Sequence, residues 1–217
     1  IDNIKYKLKF IERMIFRNPV DEFKTEKEKY LSGNIIQRFF INKFLSDLDE
    51  TLKPLLYSNP LVLDAGCGLG VTIGYLKKHN RSLNILGLDV LFKSVAHAQK
   101  LNGNILFLNA DLYSMPFKNN SFGIVVNTQT LEHLKNPEKA LKEIKRVTKK
   151  YCLICVPYEP FFSMANLLRF KYLKTLGNYP GHIHKWDTKQ FKKLLNIHFK
   201  KINIKISALW IIALCEK

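Results

Sequence analysis

Leu61 to Gly70 reads LVLDAGCGLG: a short apolar run closed by Asp64, then glycine at three of the next six positions. An apolar run of this length bounded by glycines is a buried strand, and glycine admits the left-handed backbone that a tight strand-to-helix turn needs. Such a turn has no side chains to hold a ligand off, and the helix behind it starts with unsatisfied N–H groups. The chain is therefore expected to fold as strand, turn and helix here, with something lying against the turn.

The same alternation continues downstream. Strands are expected over 61–65, 83–90, 104–112, 121–129 and 151–157, and helices over 71–79, 91–101 and 137–150. Ahead of the first strand, Ile36, Phe40, Phe44, Leu48, Leu52 and Leu55 recur at helical spacing. Ala140, Leu141, Ile144 and Val147 form one face of a helix opened by Pro137. A helix over 188–199 and two strands, 200–207 and 208–217, close the chain. Near-continuously apolar strands alternating with helices indicate a Rossmann-like, doubly wound α/β sheet, mostly parallel, with helices on both faces. Right-handed crossovers then bring all the strand ends, and the ligand, to one edge.

The length of 217 residues suits one domain over 1–217, with 1–56 as an N-terminal helical segment. Residues 157–185 break the pattern with Tyr158, Phe161, Phe162, Phe170, Tyr172 and Tyr179 and no clear strand. A connection this long is functional or contains a helix, and it is read as a cap over the substrate. The apolar run ISALWIIALC is far short of the roughly 20 residues of a membrane span. No stretch has the layout of a secretory signal, so the expected location is cytoplasmic. Cys152 and Cys155 have CxxC spacing inside an apolar strand, where they read as small buried hydrophobes rather than half of a metal site.

Lysine and arginine outnumber aspartate and glutamate by 35 to 18, a net charge of +17. Such a field attracts polyanions, among them RNA and anionic lipid. Residues 169–205 carry ten basic residues against one acid, Asp187. Residues 4–17 mix Ile4, Leu8, Ile11 and Ile15 with lysines and arginines, a pattern compatible with a helix lying on an anionic membrane surface.

Two further acids stand where a nucleoside would need them. Asp89 closes the second strand, where a carboxylate can accept both ribose hydroxyls. Asp111 closes the third and can accept from an adenine amino group. Asp64 is unfavourable for a pyrophosphate but suits a cationic amino-acid group, which weakens a dinucleotide reading of the turn.

These residues resemble class I S-adenosylmethionine-dependent methyltransferases, in particular their small-molecule type 11 group. The motifs that carry the resemblance are VLDAGCGLG, GLDV, NADLYSMPF and SFGIVVNTQTLEHLKNPEKALKEIKRV, between about Leu61 and Pro157. The resemblance implies a seven-stranded sheet whose last strand is antiparallel. It also implies adenosylmethionine held by Asp64, Gly66, Cys67, Gly68, Gly70, Asp89, Val90, Asp111, Leu112 and Asn127.

Methyl transfer from a sulfonium depends mainly on positioning, and a general base is optional. His133, Tyr158 and Glu159 are the catalytic candidates, since they follow the fourth and fifth strands at the functional edge. Tyr158, Glu159, His182 and His184 are candidates to touch the acceptor, a small molecule or a lipid- or sugar-linked one. His182 and His184 lack enough companions for a metal site, so none is assigned. An RNA acceptor ranks lower: the fourth strand ends in NTQT without the Asn/Asp-Pro-Pro-Tyr motif of exocyclic-nitrogen enzymes, and no RNA-binding module is visible. The non-enzymatic alternative, a methyltransferase fold used only for binding, calls for a broken cofactor site, and no element of the site is broken.

Overall fold

The structure, a computed structural model, describes residues 35–168, 170 and 172–217. The chain divides into two units, Ile1–Asn42 and Lys43–Lys217, and the whole sheet belongs to the second. The basic stripe expected over 4–17 lies outside the described residues.

The strands are β1 (Val62–Ala65), β2 (Ile85–Asp89), β3 (Phe107–Asn109), β4 (Phe122–Thr128), β5 (Thr148–Pro157), β6 (Lys201–Ser207) and β7 (Trp210–Glu216). They form one seven-stranded sheet in the order β3-β2-β1-β4-β5-β7-β6. Strands β1 to β5 are parallel, while β7 runs antiparallel to both β5 and β6. The one reversed strand is thus β7, as the resemblance implies. It enters from β6 through a tight turn at Ala208, whose φ is 53°.

Strand order reverses between β1 and β4, and an open α/β sheet binds its ligand at such a switch point. In register, Asp64 of β1 stands beside Gly87 of β2 and Val126 of β4.

The helices are α1 (Ile35–Leu52), α2 (Val71–His79), α3 (Phe92–Asn102), α4 (Pro137–Val147), α5 (Phe161–Leu168) and α6 (Thr188–Asn196). Among the described residues, none is long and apolar enough to cross a membrane. In α4, Pro137 sits at the first turn and the Asn136 side chain accepts the Lys139 N–H at 3.0 Å. Ala140, Leu141, Ile144 and Val147 are all fully buried against the sheet, the face expected from their spacing. The cap of α6 is reciprocal: Asp187 accepts from Gln190 N–H, and Gln190 accepts from Asp187 N–H. In α1, Phe44, Leu48 and Leu52 are buried as expected, whereas Ile36 is exposed.

The central run of β5, Cys152 to Val156, is entirely buried, which accounts for its lack of polar residues. All four cysteines are free and buried. Burial pushes the Cys152 thiol up to about 12, partly offset by Thr148 Oγ1, so the CxxC pair is packing rather than redox or metal chemistry.

Two boundaries near the site differ from the expected ones. Strand β3 ends at Asn109, leaving Asp111 in a turn closed by its own carboxylate on the Tyr113 N–H at 2.8 Å. Helix α4 stops at Val147, and Thr148 to Lys150 join β5 because Thr148 pairs with Phe122 of β4. As expected, the aromatic segment after Pro157, the last residue of β5, contains a helix, α5, and a short 3₁₀ turn, Leu173–Thr175, with no strand among its described residues up to 185.

An ion pair locks the segment between β3 and β4. Glu143 and Arg146 of α4 are joined by two hydrogen bonds of 2.7 Å. Arg146 also donates to the carbonyls of Phe117 and Met115, and Glu143 accepts the Met115 N–H. This bidentate pair fixes the stretch that carries Asp111 and Leu112.

Candidate active site

The three glycines of the turn after β1 all have positive φ, 84° at Gly66, 50° at Gly68 and 73° at Gly70. Their surroundings differ. A Cβ on Gly70 would meet Asn102 Nδ2 at 2.7 Å and Ala98 Cβ at 3.0 Å, so this glycine lets α3 pack against the turn. A Cβ on Gly66 would strike the Thr130 side chain at 2.5 Å, which brings the turn after β4 directly against the turn after β1. A Cβ on Gly68 would meet nothing within 4 Å, so the backbone there faces open space. Gly68 is the position where a ligand can lie against bare backbone.

Cys67 does not face that space. Its sulfur occupies the gap left by Gly87 in β2, where an added Cβ would meet Cys67 Sγ at 2.8 Å. Burial, followed by the nearby Asp64 and Asp89, raises its thiol pKa far above the ordinary value. Cys67 can offer a ligand its backbone and no thiolate.

Asp89 at the end of β2 accepts the Gly68 N–H and the Leu91 N–H, both at 2.9 Å. Each carboxylate oxygen keeps capacity for a further donor. The Asn109 side-chain amide at the end of β3 donates to the carbonyls of Asp89 and Val90, so this edge of the cleft is set by a side chain bonded to backbone. Val90 and Leu91 project into solvent although both are large and apolar, while Leu112 is buried and Asp111 is exposed.

Two side chains at the switch point have polar atoms without partners. Asp64 is fully buried and neither carboxylate oxygen has a hydrogen-bond partner. Desolvation, followed by the charge of Asp89, pushes its pKa up to about 7. Asn127, also fully buried, donates to the Ala65 carbonyl and leaves its Oδ1 unpartnered. Buried polar atoms without partners are costly, and several together at a strand edge are the sign of a ligand site.

The acceptor-side candidates separate into two groups. Glu159 is committed to the fold: its Oε2 accepts the Ser163 hydroxyl at 2.6 Å and the Ser163 N–H at 3.2 Å, which caps α5. The Tyr158 ring packs on Phe161 with centroids 4.9 Å apart, and its backbone bonds to Leu209. His133 and His182, 49 positions apart in the chain, come together with ring centroids 5.0 Å apart. Phe162 and Tyr179 frame His182 at 5.4 and 5.1 Å. His184 parts from His182 and stacks on Trp186 at 5.3 Å. Its Nε2 is buried without a partner.

Sequence reading passed over Glu132. This residue, in the 3₁₀ turn Leu131–His133 after β4, is fully buried with neither carboxylate oxygen partnered. Desolvation pushes its pKa up to about 8. The signal in the sequence is a carboxylate between Leu131 and His133 just after a strand end.

Comparison with known proteins bears on the family and the fold. A family profile described as "Methyltransferase domain" matches residues 63–156. An uncharacterised methyltransferase of Schizosaccharomyces pombe is 26% identical over 156 residues, 66% of this chain and 51% of that protein. The ajmaline N-methyltransferase of Rauvolfia serpentina is 31% identical over 100 residues, 44% of this chain and 34% of that one. The chain thus spans about half or less of the length of these curated relatives. Among solved structures, magnesium protoporphyrin IX methyltransferase from Synechocystis, crystallised with bound S-adenosylhomocysteine, superposes with a TM-score of 0.65 at 17% identity, covering 96% of this chain and 99% of that one. Glycine turn, sheet order and sequence profile agree: residues 63–156 match the methyltransferase-domain family, and the sheet has the fold of the class I S-adenosylmethionine-dependent methyltransferases.

Proposed function

We propose that the chain binds S-adenosylmethionine at the carboxyl edge of β1, β2 and β4 and transfers its methyl group to a small-molecule acceptor under the 157–185 segment. The observation that carries this reading is the buried Asp64 carboxylate, which has no hydrogen-bond partner among the described residues. A cationic ammonium is the partner it lacks, and the amino-acid end of the cofactor supplies one. Asn127 Oδ1, likewise unpartnered, offers an acceptor beside it. Gly68 gives the ligand bare backbone, and Asp89 has the capacity to accept the ribose hydroxyls while holding the turn closed. Val90 supplies an exposed apolar surface for the adenine, with Asp111 and Leu112 at its edge.

When bound, the cofactor supplies an electrophilic methyl on a sulfonium. The protein's part is to place the acceptor behind that methyl and to exclude water. The linked rings of Trp210, Phe162, His182 and Tyr179 suit a compact, partly apolar acceptor. A relative that methylates ajmaline, a small molecule, supports the same class. Glu159, committed to α5, shapes the cap and does not act as a base in this reading.

The test is calorimetric titration of S-adenosylmethionine and S-adenosylhomocysteine into the wild type and Asp89→Ala. Saturable one-to-one binding that is lost in the variant supports the reading. Absence of binding to a folded wild type overturns it.

A further inference from the structure

We propose that Glu132, His133 and His182 form a binding site for one divalent transition-metal cation. Their candidate ligand atoms, one carboxylate oxygen and two imidazole nitrogens, all lie within 4.8 Å of one another. A cation at ordinary coordination distances of about 2.0–2.2 Å draws such atoms together with small side-chain shifts.

Three observations distinguish this cluster from ordinary packing. Glu132 is fully buried, yet both its oxygens lack a hydrogen-bond partner. Burying a carboxylate that way is costly unless a cation or proton meets it. His133 Nδ1 lies 2.8 Å from the Gly181 carbonyl, which fixes the proton on Nδ1 and leaves the Nε2 lone pair for a metal. A metal-ligating histidine characteristically has its other ring nitrogen held this way. The Glu132 carbonyl accepts the N–H groups of Ile183 and His184, at 2.8 and 3.1 Å, and so clamps the His182 loop onto the Glu132 turn. The three donors therefore sit on a braced frame.

The donor set selects the class of ion. Two imidazoles and one carboxylate suit zinc, cobalt, manganese or ferrous iron, whereas calcium and magnesium favour all-oxygen sites. Three protein ligands leave open positions for water or an acceptor oxygen or nitrogen. The turn holding Glu132 and His133 follows Thr130, which touches Gly66, so the cation would stand beside the glycine turn. The proposal departs from the expectation of no metal, which weighed only His182 and His184 because the other ligands come from a different part of the chain.

The site is tested without any cofactor, so its failure and that of the methyltransferase reading are separable. The full chain is stripped with a chelator, dialysed and titrated with cobalt(II) chloride, following visible ligand-field absorption, with elemental analysis for stoichiometry. One cobalt per chain, displaced by zinc, is expected. His182→Ala and Glu132→Gln should each weaken binding about tenfold or more and alter the spectrum. His79→Ala, an exposed histidine elsewhere, should change neither. If Glu132→Gln does not fold, His133→Ala, at an exposed position, serves in its place. The proposal is overturned by a folded wild type that binds no stoichiometric cobalt, by variants that bind within twofold of wild type, or by intense sulfur-to-cobalt charge-transfer bands that assign the metal to cysteine.

Discussion

The Asp89 carboxylate, at the end of β2, accepts the backbone N–H of Gly68 from 2.9 Å across the turn that follows β1. One acid thereby shapes the glycine turn and presents its remaining acceptor capacity to whatever lies on that turn. Asp89→Ala should reduce S-adenosylmethionine affinity about 100-fold, because hydrogen bonds to a charged group contribute about 1.5–3 kcal/mol each. Loss of the Gly68 and Leu91 contacts should cost about 1–2 kcal/mol of stability. Calorimetry and urea unfolding measure the two effects, and affinity unchanged in Asp89→Ala would remove this residue from the site.

The two later glycines of the turn should fail differently. Gly70→Ala introduces a Cβ into contact with Asn102 and Ala98 at a positive φ, and should destabilise the fold by about 3 kcal/mol. Gly68→Ala meets open space, so only the backbone cost of about 1 kcal/mol applies to the free protein. Its methyl group would fill the place where ligand meets backbone, so cofactor binding should be lost from a folded protein. Thermal melts with and without S-adenosylhomocysteine separate these outcomes.

Asp64 should couple ligand binding to pH. Its folded-state pKa of about 7 lies above the ordinary carboxylate value, so the free protein binds an extra proton between roughly pH 4 and 7. Through that window the contribution of this group to stability falls as pH rises, and it is constant above the folded pKa. An ammonium beside Asp64 favours the ionised form. Binding near pH 6 should therefore release close to one proton, and affinity should climb with pH up to about 7 and then level off. Calorimetry in buffers of different ionisation enthalpy reads the proton directly. Asp64→Asn should abolish the release and weaken binding, yet make the free protein more stable at pH 8 by removing a buried unpaired charge.

Asp47 carries the opposite sign. Burial raises its pKa, but hydrogen bonds from Lys205 at 2.6 Å, Lys43 at 2.7 Å and the Ser207 hydroxyl at 2.6 Å outweigh this and hold it down to about 2. The contribution, about 2 kcal/mol, is fully present above the ordinary carboxylate range and is lost as pH falls toward 2. Asp47→Asn should cost about that much at pH 7, and the gap between variant and wild type should close in acid. Equal stability at pH 7 would show that the tie between α1 and β6 contributes nothing.

The proposed cofactor edge was largely legible in the chain. Asp64, Asp89 and the three glycines declare themselves locally, because a strand end and a left-handed turn are set by residues within a few positions of one another. The roles of Cys67 and Glu159 were not legible in the same way. Cys67 turns away from the cleft because Gly87, on another strand, leaves room for its sulfur. Glu159 is drawn to Ser163 by the entry of α5, within a segment whose aromatic content masks its helical period.

By itself the sequence determined the alternation of strands and helices, the parallel sheet and the glycine turn with its acids, since each rests on short-range periodicity and backbone preference, while the reversed closing strand was implied by the family resemblance. Only the tertiary structure decided which polar groups lose their water. The chain marks Asp64, Asn127 and Glu132 only as polar residues at or near strand ends, and they become unpartnered buried groups because β1 and β4 adjoin at the switch point. His133 and His182 meet because the chain after β5 folds back over that edge, and desolvation is a property of what packs around a group, not of its neighbours in sequence.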